Sequence, residues 1–259
     1  MTQPLLETKN LTMSFGGLVA IERLDLAIHP GEIVGLIGPN GAGKTTVFNC
    51  ISRFYTPSRG NIYFQGRDIT RAASHEIIGL GIARTFQNVE LCRSMTVMQN
   101  LLLGQHVRIR GGVMRDGLRL PGANSSETRA TERADEVLEL LGLTPYRDRI
   151  ASALPFGLQK MVELGRSLVS QPALLLLDEP AAGADVRETQ GLADLIRKIR
   201  EQYNLAIMVV EHDMTFVMGL CQCLYVLDFG RKIAEGSPAE IRNNPAVIEA
   251  YLGDANLAL

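Results

Sequence analysis

A glycine-rich loop that ends in a lysine and two threonines carries the clearest chemistry in this chain. It spans Gly38 to Thr46 as Gly-Pro-Asn-Gly-Ala-Gly-Lys-Thr-Thr, after a strand-like apolar run at 32–38 and before a helix-like run at 46–52. Glycines let successive backbone N–H groups converge on phosphate oxygens, and a helix N-terminus adds positive charge. Strand, glycine loop and helix in this order predict a nucleoside-triphosphate site.

The loop residues have separate predicted roles. Lys44 is expected to reach the β- and γ-phosphates, and the Thr45 hydroxyl is expected to ligate Mg²⁺. The residues predicted to bind the nucleotide are Gly38, Pro39, Asn40, Gly41, Ala42, Gly43, Lys44, Thr45 and Thr46.

Two adjacent acids follow a continuous apolar run. Residues 173–177 read Ala-Leu-Leu-Leu-Leu, which is typical of a parallel strand buried on both faces. Ligands of open α/β sheets bind beyond the carboxyl ends of such strands. Asp178 is therefore predicted to hold Mg²⁺, and Glu179 is predicted to polarise an attacking water.

Composition narrows the class of protein. The 259 residues are 46% hydrophobic and 21% charged, as in globular chains, and the net charge of −2 gives no argument for a nucleic-acid partner. The N-terminus lacks the pattern of a signal peptide, and no apolar run approaches the ~18 residues of a membrane span. Four scattered cysteines have neither zinc nor redox spacing, which favours free thiols in a reducing cytosol.

The patterns of strands and helices predict an α/β fold. Short apolar pieces within the first thirty residues predict a small antiparallel sheet, and the block from about 95 to 165 is helical without strands. After it, alternation predicts a parallel sheet flanked by helices. The segments concerned are strands Leu5–Leu11, Leu18–Ile21, Leu24–Ile28, 173–177, 205–210 and 223–227, and helices 97–106, 126–141, 187–203 and 214–220.

Residues 110–126 have the weakest pattern in the chain. Their arginines are read either as a cationic patch near lipid headgroups or as part of a solvated loop. The neighbouring apolar residues show no sustained helical period, which favours the loop.

Further motifs follow in a fixed order, and together they resemble the ATP-binding-cassette (ABC) ATPases over essentially the whole chain. Gly38–Thr46 is similar to Walker A and Leu174–Glu179 to Walker B. The remaining motifs that resemble the family are Gln87 of the Q-loop, residues 154–159 of the signature, Ala181–Asp185 of the D-loop, and the switch histidine, His212.

The resemblance implies a fold and a division of the chain. The family has a P-loop NTPase core with a parallel sheet, an N-terminal antiparallel β subdomain and an inserted α-helical subdomain. Here the core with the antiparallel part is expected at 1–94 and 166–259, and the helical subdomain at 95–165. A C-terminal helical tail is expected at 240–259.

The resemblance also implies roles for individual residues. Phe15 would stack on adenine, Gln87 would sense Mg²⁺ and the attacking water, and His212 would hydrogen-bond the γ-phosphate. Gly157 and Gln159 would contact the nucleotide held by an opposite subunit.

The signature departs from the family pattern Leu-Ser-Gly-Gly-Gln. Pro155 offers neither a serine hydroxyl nor an N–H, and Leu158 stands where a glutamine is usual, which puts the full catalytic rate in doubt. Gln159 lies one position late and is expected to substitute in part.

Several phrases resemble the ATPases of importers for branched-chain and other hydrophobic amino acids. The most specific is residues 241–253, Ile-Arg-Asn-Asn-Pro-Ala-Val-Ile-Glu-Ala-Tyr-Leu-Gly. The resemblance implies a cytoplasmic ATPase, peripheral on the inner face of the cell membrane, that forms a head-to-tail dimer. Its implied partners are two permease subunits and an extracytoplasmic solute-binding protein, and its cofactors are ATP and Mg²⁺. A urea or amide importer, a lipid exporter and a soluble ABC protein acting on DNA or ribosomes are the alternatives.

An apolar, methionine-containing group follows the Q-loop: Phe86, Leu91, Met95 and Met98. The resemblance implies a groove for a cytoplasmic helix of the membrane subunit. Ordinary core packing is the competing interpretation, because leucine and methionine at helical spacing usually face inward.

Overall fold

The computed structural model describes residues 3–85, 90–105 and 123–252. The chain divides into two units, Met1–Ile77 with Ala173–Leu259, and Ile78–Pro172.

The described strands and helices are numbered in chain order. The strands are β1 Leu6–Phe15, β2 Leu18–Ile28, β3 Ile33–Ile37, β4 Arg59–Phe64, β5 Arg67–Asp68, β6 Ile82–Arg84, β7 Leu174–Asp178, β8 Ala206–Val210, β9 Cys223–Asp228 and β10 Arg231–Gly236. The helices are α1 Lys44–Ile51, α2 Ser74–Leu80, α3 Val97–Gly104, α4 Ala123–Leu140, α5 Phe156–Leu168, α6 Val186–Tyr203, α7 Met214–Leu220, α8 Pro238–Arg242 and α9 Pro245–Leu252. Short 3₁₀ turns lie at Thr144–Tyr146 and Ala151–Ala153.

The predicted antiparallel sheet is confirmed, with strand order β2-β1-β4-β5. One detail of the prediction is wrong: Leu18–Ile21 and Leu24–Ile28 belong to a single strand, β2. Between the pairs Leu11↔Leu24 and Met13↔Ile21 the register shifts, and Arg23 adopts a positive φ of 48°. This β-bulge accommodates the polar residues between the two apolar pieces, so the strand bends but does not end.

The second sheet of the first unit has a parallel core. Its strands follow the order β10-β9-β3-β8-β7, in which β3, β7, β8 and β9 run parallel and β10 returns antiparallel to β9. Every residue of β3, β7 and β8 is buried. Both faces are therefore covered, which explains why these strands read as continuous apolar runs.

The second unit is mainly helical, and its helices approach closely. The predicted helix at 97–106 is confirmed as Val97–Gly104, and the one at 126–141 as Ala123–Leu140. A Cβ on Gly104 would overlap the carbonyl oxygen of Arg166 on α5, so only glycine permits this packing. The Gln105 side chain donates to the Ala130 carbonyl at 2.7 Å, which ties α3 to α4.

Among the helices of the described residues, none combines the length and the hydropathy that a membrane span requires.

Candidate nucleotide site

The register of the parallel sheet brings three chemically active strand ends together. Leu36 of β3 pairs with Val210 of β8, and Val210 pairs in turn with Asp178 of β7. Neighbouring strands lie about 4.8 Å apart, so the glycine loop after β3 and the acids at the end of β7 lie within about 10 Å of each other. The segment after β8, which carries His212, leaves the sheet between them.

Positive φ angles shape the loop between β3 and α1. They occur at Gly38 (148°), Gly41 (79°) and Gly43 (102°). A Cβ on Gly38 would overlap the Leu227 carbonyl oxygen, and one on Gly43 would lie 2.6 Å from the Ala20 carbonyl oxygen. Glycine is required at Gly38 and Gly43 on two counts, because a side chain would be strained and would also collide with neighbouring backbone.

The side chain of the loop lysine, Lys44, folds back onto the backbone of the preceding loop residues. Lys44 Nζ donates to the carbonyl oxygens of Gly38 at 2.6 Å and Pro39 at 2.9 Å, and the residue is 9% exposed. The loop thus holds an ammonium group inside its curve. Within the described residues, no side chain caps the N-terminus of α1. The N-terminus of α1 and a cation thus lie together here, and both favour a bound anion.

A turn that the sequence analysis did not single out braces the loop. The Gly230 N–H, between β9 and β10, donates to the Ala42 carbonyl at 3.1 Å, and the Gly230 carbonyl accepts from the Glu22 N–H at 2.8 Å. The sequence Asp228-Phe-Gly-Arg231 lies between two apolar runs, and its glycine could have been used to predict a turn here. An open cleft of about 530 Å³ lies beside the loop, with Asp228 and Phe229 on one wall and residues of α9 (Ala246, Glu249 and Ala250) on another.

The two acids at the end of β7 occupy different environments. Asp178 is 6% exposed, whereas Glu179 is half-buried and has a left-handed φ of 48°. The Glu179 N–H donates to the Val210 carbonyl at 2.9 Å, so the first residue after β7 remains attached to β8. A non-glycine residue keeps such a backbone only where its surroundings impose it.

The predicted switch histidine is accessible. The His212 side chain is 59% exposed, and its Nδ1 lies 3.6 Å from Oε2 of Glu211. That distance is too long for a hydrogen bond. Glu211, to which the sequence analysis gave no role, is by contrast fully buried.

The oxygen donors near the loop fit Mg²⁺ as a partner of the nucleotide. Thr45 is exposed in the first turn of α1, and Asp178 supplies a carboxylate at the end of β7. Within the described residues, no group of three or more His, Cys, Asp or Glu side chains forms a metal site. Mg²⁺ commonly takes one or two protein oxygens and completes its shell with phosphates and water, so this donor set suits metal that arrives with a triphosphate.

An aromatic pair lies at the end of β1. Phe15 is 41% exposed, and its ring meets Tyr55 edge to face, with centroids 5.1 Å apart and an interplanar angle of 77°. Such T-shaped pairs add stability beyond the area that they bury. Tyr55 therefore orients the ring predicted to stack on adenine, a support that the sequence analysis missed because nothing in the spacing signals it.

The signature residues belong to the second unit. Gly157 is exposed in the first turn of α5, and an added Cβ would meet open space. The Gln159 side chain donates to the Leu154 carbonyl at 2.7 Å, so its amide N–H₂ is engaged by the chain just before the helix.

Two predictions concern the segment after β6. Gln87 and Phe86 lie outside the described residues. In the rest of the methionine-containing group, Met98 is 6% exposed, Leu91 is half-buried, and Met95 is 36% exposed. Met98 is thus a core residue, whereas Met95 remains available to a partner.

Comparisons with known proteins identify the family of this chain. Residues 21–182 match the ABC transporter family, and residues 231–255 match the branched-chain amino acid ATP-binding cassette transporter family. The chain is 46% identical over 255 residues to the high-affinity branched-chain amino acid transport ATP-binding protein LivG of Escherichia coli K12, covering 98% of this chain and 100% of LivG. It is 42% identical to BraF of Pseudomonas aeruginosa, again over 98% of this chain and 100% of the relative.

A solved structure has the same fold. The ADP conformation of MJ1267, an ATP-binding cassette of an ABC transporter, superposes with a TM-score of 0.84 at 30% identity, covering 97% of this chain and 100% of that one. The chain described here therefore belongs to the ATP-binding subunits of ABC transporters, and it is an ATPase with a P-loop NTPase core, an antiparallel β subdomain and an inserted helical subdomain.

The loop geometry generates a first prediction. Gly43→Ala combines a φ of 102° with a Cβ 2.6 Å from the Ala20 carbonyl oxygen, so the loop must distort. We expect ATP affinity to fall by at least about tenfold and the free energy of unfolding to drop by about 1–3 kcal/mol. Calorimetric titration with ATP and urea denaturation measure these changes.

Gly191→Ala is the matched control, since among described atoms none lies within 4 Å of the added Cβ on this exposed residue of α6. It should bind ATP normally and gain about 0.5–1 kcal/mol. Normal ATP affinity in Gly43→Ala would contradict the assignment of the loop.

Proposed function

We propose that this chain powers the uptake of branched-chain or other hydrophobic amino acids through separate membrane permease subunits. The observation that carries this proposal is the match of residues 231–255 to the branched-chain amino acid transporter family. The matched segment forms β10, α8 and α9 and contains none of the residues proposed to act in hydrolysis. The match therefore indicates the class of transporter and carries no information about ATP hydrolysis.

The positions of the strand ends support the roles proposed for Lys44, Glu179 and His212, and the family resemblance supports those proposed for Gln87 and Phe15. Lys44 and the backbone N–H groups of residues 38–46 bind the phosphates and stabilise the charge that develops during transfer. Glu179 accepts a proton from the attacking water, and His212 hydrogen-bonds the γ-phosphate. Gln87 contacts the attacking water, and Phe15 stacks on adenine with support from Tyr55.

Mg²⁺ bound with ATP would be held by Thr45, Asp178 and Gln87, and it would neutralise charge on the phosphates. The carboxylate of Asp178 is suited to this role because of its place in the sheet. Asp178 ends β7, and β8 lies between β7 and β3, the strand that leads into the phosphate loop.

The complete site is composite. Gly157 and Gln159 of one subunit cover the nucleotide held by the loop of a second cassette, in a head-to-tail dimer. The exposure of Gly157 supports this role, since its backbone is open to a ligand. Pro155 provides neither hydroxyl nor N–H at the start of α5, so the contact depends on the residues after it.

The chain is peripheral on the inner face of the cell membrane and belongs to a transport complex. Its other members are two permease subunits and an extracytoplasmic solute-binding protein. We assign residues 1–94 and 166–259 to nucleotide chemistry, 95–165 to the helical subdomain and 240–259 to the C-terminal tail. The helical subdomain receives the permease around Met95.

Glu179→Gln tests the hydrolytic assignment. The variant should bind ATP with the wild-type affinity but lose on the order of 10²- to 10⁴-fold in turnover, because the general base is gone. With ATP it should accumulate as a dimer, measured by light scattering, whereas the wild type should return to monomer. Turnover at the wild-type rate would refute the role of Glu179.

The cargo is tested in liposomes that contain the purified chain with its permease subunits. ATP inside should drive uptake of labelled leucine, isoleucine and valine when the solute-binding protein is outside, and complexes carrying Glu179→Gln should show none. Uptake of urea or amides without leucine uptake, or ATP-dependent release of lipid, would contradict the proposal.

Met95→Asp tests the docking of the permease. A charge on this residue should weaken assembly and abolish ATP-driven uptake, while ATP affinity remains within about twofold, because the contact with the permease loses apolar burial and Met95 is not among the residues proposed to bind ATP. Leu103→Asp, at a similarly exposed apolar residue of α3, is the control and should assemble normally. Normal uptake in Met95→Asp would move the docking surface elsewhere.

A further inference from the structure

A buried carboxylate lies between the segments that carry Glu179 and His212. Glu211 follows β8 directly and is 1% exposed. Its Oε1 accepts a hydrogen bond from the Ala181 N–H at 2.7 Å, and its Oε2 accepts one from the His212 N–H at 3.1 Å. One side chain thus connects the turn after β7 to the residue proposed to contact the γ-phosphate.

Burying the Glu211 carboxylate is energetically unfavourable unless its oxygens accept hydrogen bonds. Burial raises the pKa of Glu211, and hydrogen bonds from the backbone of Ala181 and His212 oppose that rise. Removing a carboxylate from water without partners is strongly unfavourable, and acidic residues are rarely buried this completely unless paired. Both oxygens are used here, so the side chain is matched to the backbone N–H groups around it.

The same contacts constrain the residue proposed as general base. Glu179 has its N–H bonded to the Val210 carbonyl at 2.9 Å, and two residues later Ala181 is held by Glu211. These two hydrogen bonds, one before and one after Pro180, prevent the backbone between Glu179 and Ala181 from changing its conformation. That accounts for a left-handed φ of 48° at a residue other than glycine.

We propose that Glu211 is a positioning residue for ATP hydrolysis: its buried carboxylate joins the turn carrying Glu179 to the backbone of His212 and holds the two groups in one arrangement. The inference rests on the catalytic roles proposed above for Glu179 and His212. Glu211 does not touch the nucleotide. Its effect is therefore on the rate of the chemical step and not on the affinity for ATP.

Glu211→Gln is the informative change. The amide oxygen still accepts from the Ala181 N–H, but the amide N–H₂ then faces the His212 N–H, and two donors cannot bond. The connection is cut on one side while the side chain keeps its size. In the assembled transporter we expect kcat to fall about 10- to 100-fold, as for small misplacements of catalytic groups. The Kd for a fluorescent ATP analogue should change by less than about threefold.

A double-mutant cycle separates positioning from a general structural role. If Glu211 acts through His212, Glu211→Gln combined with His212→Ala should hydrolyse ATP within about twofold of His212→Ala alone, because groups that act as a unit are not additive. Multiplied losses would show that Glu211 does not act through His212, which would overturn the proposed connection between the two segments. A wild-type kcat in Glu211→Gln, or a loss of ATP affinity as large as the loss of rate, would also overturn it.

Glu163→Gln is the matched control, since Glu163 is a carboxylate of α5 that is only 2% exposed. It should retain kcat within about twofold, and an equal loss there would overturn the specific role of Glu211. A different result would refute the proposed function. Wild-type turnover in Glu179→Gln would contradict the catalytic assignment itself. If Glu179→Gln is inactive but the Glu211 cycle is additive, only the positioning role is lost.

Discussion

Hydrogen bonding of β8 between β3 and β7 is the constraint on which the site depends. Through Val210 it aligns Leu36, just before the phosphate loop, with Asp178, just before the proposed base. A slip of one residue in a parallel register would displace an acid by about 3.3 Å along the strand and reverse its face. Because all of these strands are buried, apolar packing on both faces opposes such a slip.

Connections beyond the strand ends extend this constraint into the loops. The Gly230 N–H supports the phosphate loop at Ala42, and Glu211 supports the turn after Glu179. Both supports use a backbone N–H as donor, so they fix the course of the chain rather than one side chain. Preorganised backbone of this kind stabilises developing charge with little reorganisation during the reaction, which is what phosphoryl transfer requires.

Much of the site was predictable because its motifs are local. The glycine pattern of 38–46 and the acids after an apolar strand each combine residue type with a neighbouring element, so pattern and context agree. The bend in β2 was not predictable, since a polar pair within an apolar run indicates a loop as readily as a bulge. The supporting roles of Tyr55 and Glu211 were also not predictable, because their partners, Phe15 and Ala181, are distant in sequence and come into contact only on folding.

The amino-acid sequence by itself determined the class of chemistry: a phosphate loop, a pair of acids and a histidine in the family's order. It also determined the parallel sheet, because continuous apolar strands alternating with helices can be buried in few other ways. Only the tertiary structure decided which backbone groups hold these residues. The burial of Glu211 depends on β7 and β8 lying side by side, and hydrogen bonds between segments thirty residues apart leave no periodic trace in the sequence.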